Sequence, residues 1–201
     1  MRPKLLFVTD PLCSWCWGTL PELDSVRETL KREVDFDLIM AGLQIGTPDG
    51  LLDYDIKRLN RLWSEVANIT GQSFSHIVPE GFVYHSEIAC RAVEIARRKL
   101  GVPPFEFLHQ LQSAFYEDGK NIQDVNVLAD LLELSKLEIV QQLQAEDIIV
   151  ATRANFELAK SLSANALPNF LMDTGAGYIL LCGGYVTAEF LIPDIRTRIS
   201  G

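Results

Sequence analysis

The sequence predicts an α/β protein whose four-stranded mixed sheet is interrupted by a large all-helical insertion. Two strand-like runs with a helical stretch between them occupy the first forty residues, and two more strand-like runs follow residue 168. The apolar residues between these regions recur at helical spacing. A strand–helix–strand unit joins parallel strands, and a tight turn joins antiparallel ones, so the predicted sheet is mixed.

The first half of the predicted sheet contains two strands and one helix. Residues 4–8 form a short apolar run that ends at the turn-forming dipeptide Asp10-Pro11. A helix is predicted from Cys13 to about residue 32, because leucine and valine recur there every three or four positions. Residues 34–40 form the second strand, which begins with alternating polarity and ends in a continuous apolar run.

The middle of the chain is predicted to be helical and free of strands over residues 51–162. The second half of the sheet follows as two apolar runs, 169–172 and 178–181, joined by a Gly-rich turn that predicts a β-hairpin. A last helix covers residues 187–199, with Pro193 expected near its start or at a break. The chain is thus divided into a sheet domain of residues 1–50 and 163–201 and an inserted helical domain of residues 51–162.

Composition and charge argue against several classes of binding partner. The chain has 201 residues, 48% of them hydrophobic and 22% charged, and its formal net charge is −9. A surface this acidic argues against nucleic acid and anionic membranes as partners. No apolar run approaches the length of about 20 residues that a membrane span needs. The first residues lack the apolar core of an export signal, so a cytoplasmic location is expected, where thiols stay reduced.

The chemistry of the chain is predicted to reside in the sequence Cys13-Ser14-Trp15-Cys16. This C-x-x-C begins where the first strand has ended and the helix starts. Free N–H groups and the helix dipole favour a thiolate at Cys13, and a spacing of three residues brings the two sulfurs to one face of the helix. The pair closes a very short loop and therefore suits reversible disulfide exchange better than structural cross-linking.

A structural zinc site is the alternative interpretation of the C-x-x-C. Such a site needs two more ligands, and neither the other cysteines nor the three histidines have the spacing of a second ligand pair. We therefore predict no metal ligands. Cys90 and Cys182 are interpreted as small packing residues.

Residues around the cysteine pair are candidate site residues. The carboxylate of Asp10 is a candidate for moving protons to and from the second sulfur, with an ordinary Asp-Pro turn as the alternative. Ser14, Trp15 and Trp17 are candidates for contact with substrate, and simple packing is the alternative for the tryptophans, with Trp17 expected to be the more buried. Leu167-Pro168 enters the third strand, where a cis proline beside a C-x-x-C would expose backbone to a partner.

These strings resemble the DsbA-like thioredoxin-fold family, and most closely its cytosolic FrnE-like branch. The resemblance is most specific at residues 10–18, Asp-Pro-Leu-Cys-Ser-Trp-Cys-Trp-Gly, and extends over nearly the whole chain. Further similar strings are Trp63 with residues 70–74, Ala89-Cys90-Arg91-Ala92-Val93, Gln112 with Phe115-Tyr116, Asn121 and Ala166-Leu167-Pro168.

The resemblance implies a thioredoxin-like fold, a cis proline at Pro168, and thiol–disulfide exchange in which Cys13 attacks and Cys16 resolves. Leu167 and Pro168 would hold the substrate backbone. Disulfide- or thiol-bearing proteins or small molecules are the expected partners, and no cofactor is expected beyond glutathione as a thiol partner. Two alternatives stay open: a glutathione-dependent isomerase or transferase of the 2-hydroxychromene-2-carboxylate isomerase or kappa-class type, and a zinc- or partner-binding module without turnover. Periplasmic oxidants of the family carry a histidine inside the motif, and Trp15 cannot supply that charge.

Overall fold

A computed structural model describes residues 2–43, 53–162 and 166–200 of the chain. Its sheet has the predicted four strands in the order β2-β1-β3-β4. β1 pairs with β2 in parallel, and the β1–β3 and β3–β4 pairs are antiparallel. The strands are β1 Lys4–Thr9, β2 Asp35–Met40, β3 Asn169–Asp173 and β4 Tyr178–Gly183. The predicted mixed sheet is therefore confirmed.

Helices make up most of the rest of the described chain. They are α1 Ser14–Leu30, α2 Asp53–Thr70, α3 Glu87–Ile95, α4 Pro104–Tyr116, α5 Val125–Leu132, α6 Lys136–Leu143, α7 Glu146–Ser161 and α8 Ala188–Ser200. A π-helical turn, Ala96–Leu100, continues α3. Between β2 and β3 the described residues contain no strand, in agreement with the predicted helical insertion. The predicted domain limits, at residues 50–51 and 162–163, involve residues outside the described ranges, so the division into two domains stays a prediction.

Pro193 lies in the interior of α8, not near its start or at a break as the sequence suggested. A proline inside a helix removes one backbone hydrogen bond and disfavours the turn before it. Here Leu191 and Ile195, on either side of the proline, are buried in the main hydrophobic core. Burial of that face outweighs the lost hydrogen bond, so α8 continues through Pro193.

The two faces of the sheet are covered by different helices. Leu5 and Phe7 of β1 face the larger core, which includes Leu23 of α1 and Leu191 of α8. The other face contributes a smaller apolar cluster with Ala159 of α7. The members of that cluster on the sheet are Leu6, Val8, Ile39 and Leu171. In the described ranges, no helix combines the length and the hydropathy needed to cross a membrane.

Gly18 allows α1 and α2 to approach closely. A Cβ atom placed on Gly18 would lie 2.7 Å from Cγ1 of Val66 and 2.9 Å from Cγ2 of Thr70. Val66 is fully buried and has no room to move away. The helix that carries the cysteine pair is thus fixed against α2 within two helical turns of both cysteines.

Gly18→Ala is expected to lower the free energy of unfolding by about 1–3 kcal/mol, because overpacking a rigid contact outweighs the better helix propensity of alanine. Urea denaturation measures the change. The double variant Gly18→Ala/Val66→Ala restores space at the contact, so it should lose less stability than the two single variants combined. Strict additivity would show that Gly18 and Val66 do not limit the approach of the helices.

Candidate active site

The two cysteines of the C-x-x-C lie together at the start of α1. Cys13 is the residue that caps the helix, and its Sγ accepts a hydrogen bond of 3.2 Å from the backbone N–H of Cys16. Both are free thiols in this structure. The side chain of Cys13 is the more accessible of the two, with 6% of the residue exposed against 0% for Cys16.

The two sulfurs have different surroundings: the Cys16 thiol is completely buried, whereas the Cys13 sulfur accepts a hydrogen bond at the helix start. Burial raises the pKa of Cys16 well above its usual range, and the neighbouring Cys13 raises it further. Cys13 instead receives an N–H donor from the first helical turn, which is where the helix dipole favours an anion. The geometry therefore favours Cys13 as the first sulfur to react.

Thr9 is a site residue that the sequence did not indicate. It ends β1 and is fully buried, and its hydroxyl has no hydrogen-bond partner among the described residues. The hydroxyl lies near the Cys16 thiol, and its proximity lowers the pKa of Cys16 against the effect of burial. The sequence alone does not mark Thr9 as a site residue. Its proximity to Cys16 arises only when the chain folds.

Thr9→Val tests this contact. Valine fills the same space without the hydroxyl, so Cys16 should ionise less readily, and resolution of a mixed disulfide at Cys13 should slow about tenfold. Single-turnover kinetics with a chromogenic disulfide separate this step from the first attack, which should be unchanged. Thr152→Val, at another fully buried threonine on α7, is the matched control. Equal resolution rates in both variants would remove Thr9 from the mechanism.

Asp10 is completely buried beneath the turn that leads to Cys13. Its carboxylate accepts hydrogen bonds from the backbone N–H groups of Leu12 and Leu43, at 2.9 and 2.6 Å, and from the Ser86 hydroxyl at 2.7 Å. The Cys90 thiol is its fourth neighbour, at 3.8 Å. Burial raises the pKa of Asp10 to about 6, although these hydrogen bonds oppose the rise.

The contacts of Asp10 modify its predicted role in proton transfer. The thiol that its carboxylate contacts is that of Cys90, whereas Cys16 is approached by the backbone N–H of Asp10. The carboxylate connects the turn before Cys13 to the start of α3, where Ser86 and Cys90 lie. Its position is that of a buried support for the active-site turn, and proton transfer to Cys16 stays a prediction.

Two residues of the helical block hold the same turn from the other side. The Tyr84 hydroxyl donates a hydrogen bond of 2.6 Å to the carbonyl of Leu12. The side-chain amide of Gln112 donates to the carbonyl of Asp10 at 3.2 Å. Gln112 belongs to one of the strings on which the family resemblance rests. The sequence did not indicate that Tyr84 or Gln112 contacts the turn, because each lies 70 or more positions away from it.

The three residues predicted to contact substrate, Ser14, Trp15 and Trp17, differ in how exposed they are. Trp17 is only 1% exposed, and its indole N–H donates to the carbonyl of Ser73 while its ring stacks on Tyr116. Its predicted contact with substrate is therefore wrong, and the packing alternative holds because the inserted block covers this side of α1. Ser14 is also buried, so its side chain is not free to meet a substrate, whereas Trp15 is half-buried and keeps an accessible surface.

Leu167 and Pro168 form the entry to β3. The peptide bond between them is cis, and Pro168 is buried while Leu167 is half-buried against the smaller apolar cluster. The carbonyl of Pro168 accepts a hydrogen bond of 2.7 Å from the backbone N–H of Gly184. The end of β4 is thereby attached to this entry.

The two remaining cysteines, Cys90 and Cys182, both have thiols whose pKa is raised by burial. Cys90 is fully buried, and burial together with the Asp10 carboxylate raises the pKa of its thiol well above the usual range. Cys182, on β4, is half-buried, and desolvation raises the pKa of its thiol as well. Across the residues that the structure describes, no three His, Cys, Asp or Glu side chains converge as metal ligands would.

A C-x-x-C whose first cysteine caps the helix of a β-α-β unit is typical of the thioredoxin fold. The thioredoxin family matches this chain over residues 6–172. The chain therefore belongs to the thioredoxin family.

Two solved structures resemble the chain over almost its whole length. A candidate protein disulfide isomerase from Nitrosomonas europaea is 26% identical, with a TM-score of 0.85 and complete coverage of both chains. The cytosolic disulfide reductase DsbM from Pseudomonas aeruginosa is 24% identical, with a TM-score of 0.76, over 98% of this chain and 97% of that one.

A curated relative is considerably longer than this chain. The ClpXP adapter protein SpxH of Bacillus subtilis is 24% identical over an alignment of 178 residues, and the match covers 82% of this chain. The match covers only 56% of SpxH, so the chain spans about half the length of that relative.

Proposed function

We propose that this protein is a thiol–disulfide oxidoreductase in which Cys13 is the nucleophile and Cys16 the resolving thiol. The observation that carries the proposal is the hydrogen bond from the Cys16 N–H to the Cys13 sulfur at the start of α1. This hydrogen bond stabilises a negative charge on the Cys13 sulfur, while the adjacent Cys16 thiol is completely buried. The disulfide reductase and candidate isomerase among the similar structures support the same chemistry.

The reaction follows from the hydrogen bond at the Cys13 sulfur and the complete burial of Cys16. The Cys13 thiolate attacks one sulfur of a substrate disulfide, so a mixed disulfide forms and the other substrate sulfur leaves as a thiolate. Cys16 then loses its proton and attacks the Cys13 sulfur, which releases the second substrate thiolate. The substrate gains two electrons, the enzyme holds a Cys13–Cys16 disulfide, and exchange with another thiol reverses these steps.

Accessible groups around Cys13 supply the substrate contacts. The Trp15 ring and the Leu167 side chain are half-buried and present apolar surface. The backbone at Leu167 and Pro168 would pair with a substrate segment in an extended conformation. The proposed substrates are proteins or small molecules that carry a disulfide or a thiol.

Glutathione is proposed as a thiol partner, and the cytoplasm as the compartment of the reaction. A second structure of the DsbM reductase was solved with GSH and matches this chain with a TM-score of 0.70. A cytoplasmic thiol pool would keep the cysteine pair reduced and ready to attack. The isomerase or transferase alternative instead predicts saturable glutathione binding together with activity on a small electrophile that survives the Cys16→Ser substitution.

Reduction of insulin and of hydroxyethyl disulfide, each coupled to a thiol reductant, tests the proposal. The wild-type protein should accelerate at least one of the two reactions well above the uncatalysed rate. If it accelerates neither, and instead retains purified partner proteins or zinc, it is a binding module without turnover.

Alkylation with limiting iodoacetamide near pH 7 should label Cys13 first. Cys182 is the more accessible residue, but the pKa of its thiol is raised by desolvation, so little thiolate is present there. Mass spectrometry of peptides gives the order of labelling. Labelling of Cys182 before Cys13 would mean that exposure, not thiolate content, sets the reactivity, and would contradict the assignment of the nucleophile.

A further inference from the structure

The edge strand β4 exposes three consecutive apolar side chains. Tyr178, Ile179 and Leu180 have 45%, 41% and 57% of their surface accessible. Among the described strands, β4 lies at the end of the sheet and has β3 as its one partner. An edge strand offers unpaired backbone N–H and C=O groups, and proteins usually protect such an edge with charged residues or proline.

None of that protection is present along β4. From Thr174 to Ala188 the sequence contains no charged residue and no proline, although 22% of the whole chain is charged. The Gly-rich turn before the strand and Gly183-Gly184 after it add no side chain that would cover the edge. In an otherwise acidic protein, this uncharged edge accepts an apolar partner segment without repulsion.

The C-terminal end of β4 is attached to the Leu167-Pro168 segment that is proposed to hold the substrate backbone. Gly183 pairs with Asn169, the first residue of β3, and the backbone N–H of Gly184 donates to the carbonyl of Pro168. The C-terminal end of β4 therefore lies beside the cis proline, whereas its N-terminal end leads away from it. A chain that enters at Pro168 can continue along β4 in an extended conformation.

We propose that the outer edge of β4 binds an extended, apolar segment of a disulfide-bearing polypeptide whose cystine is held at Cys13. This inference rests on the proposed function and assigns it a substrate class, unfolded or extended polypeptide. Backbone pairing along β4 supplies affinity independent of sequence, and the side chains on its two faces supply a preference for apolar residues.

The register defines which substrate side chains meet which residues. Tyr178 and Leu180 pair with Asp173 and Leu171 and so share the face of the smaller apolar cluster. Ile179 pairs with Met172 and lies on the opposite face. Alternate residues of the bound segment would therefore contact Leu180 on one face and Ile179 on the other.

The test compares a polypeptide substrate with a small one in the same variants. Leu180→Asp and Ile179→Asp are expected to raise the KM for insulin about tenfold and to leave kcat/KM for hydroxyethyl disulfide within about twofold of wild type. Leu180→Thr keeps the strand propensity and should give a smaller increase. Leu137→Asp, at a residue of α6 that is 67% exposed, is the matched control and should change neither substrate.

Each outcome decides the inference. Unchanged KM for insulin in both β4 variants overturns it, as does an equal loss with both substrates, which would point to damage at the active site. A concentration-dependent dimer in sedimentation analysis that Leu180→Asp dissolves, with unchanged KM, would assign the edge to a second copy of this chain instead. If wild-type protein reduces neither substrate, the proposed function itself fails, and this inference fails with it.

Discussion

Cys13→Ser is expected to abolish disulfide exchange, with a loss of turnover of about a thousandfold or more. Serine places a neutral hydroxyl where the N–H of Cys16 now meets a sulfur, and a hydroxyl without a base is a very weak nucleophile near pH 7. Cys16 does not replace Cys13, because it is completely buried and burial raises the pKa of its thiol. Coupled insulin reduction measures the loss.

Cys16→Ser should behave differently from Cys13→Ser. The Cys13 thiolate still attacks, but nothing resolves the product, so a mixed disulfide with the substrate accumulates and is visible by mass spectrometry. Cys182→Ser is the control and should retain full activity with both substrates. Turnover of wild-type magnitude in Cys13→Ser, or a mixed disulfide located at Cys182, would contradict the roles assigned here.

Asp10→Asn is expected to remove a pH dependence of stability worth about 3 kcal/mol. In the wild type, burial raises the pKa of Asp10 from 3.8 to about 6 in the folded state. Below about pH 3 the carboxyl is protonated whether the chain is folded or not. As the pH rises toward 6, the unfolded chain releases this proton while the folded protein retains it, so the free energy of unfolding falls and stays lower above that range.

Urea denaturation at pH 4 and pH 7 measures this effect in both proteins. The other titrating groups are common to both, so the free energy of unfolding should fall by about 2 kcal/mol more between pH 4 and pH 7 in the wild type than in Asp10→Asn. Asp130→Asn, at an exposed position on α5, should behave as the wild type. If Asp10→Asn shows the same pH dependence as the wild type, the Asp10 carboxyl does not titrate as a buried group.

The sequence was sufficient for the fold because its signals are local. The strands and helices follow from the spacing of apolar residues, and the parallel or antiparallel pairing follows from the length of each connection. The C-x-x-C could be placed at a helix start because Asp10-Pro11 ends the strand before it. Pro193 was misjudged for the opposite reason, since the burial of Leu191 and Ile195 outweighs a local rule.

The surroundings of the cysteine pair could not be predicted in the same way. Tyr84 and Gln112 reach the active-site turn from the inserted block, and Thr9 is identified only by its buried hydroxyl. The role of Trp17 was ambiguous because an indole suits both a binding surface and a core, and only the packing of Tyr116 against it decides. Asp10 was found from its place in the chain, but its contact with Cys90 depends on the tertiary structure.

Equilibration of the protein in glutathione buffers of graded redox potential tests the central claim most directly. Mass spectrometry should show one reversible two-electron transition, in which Cys13 and Cys16 lose two hydrogen atoms and become linked while Cys90 and Cys182 remain free thiols. The midpoint of that transition gives the reduction potential of the pair. The absence of a Cys13–Cys16 disulfide at every potential, or a disulfide that includes Cys90 or Cys182 instead, would contradict the assignment of this pair as a redox-active centre.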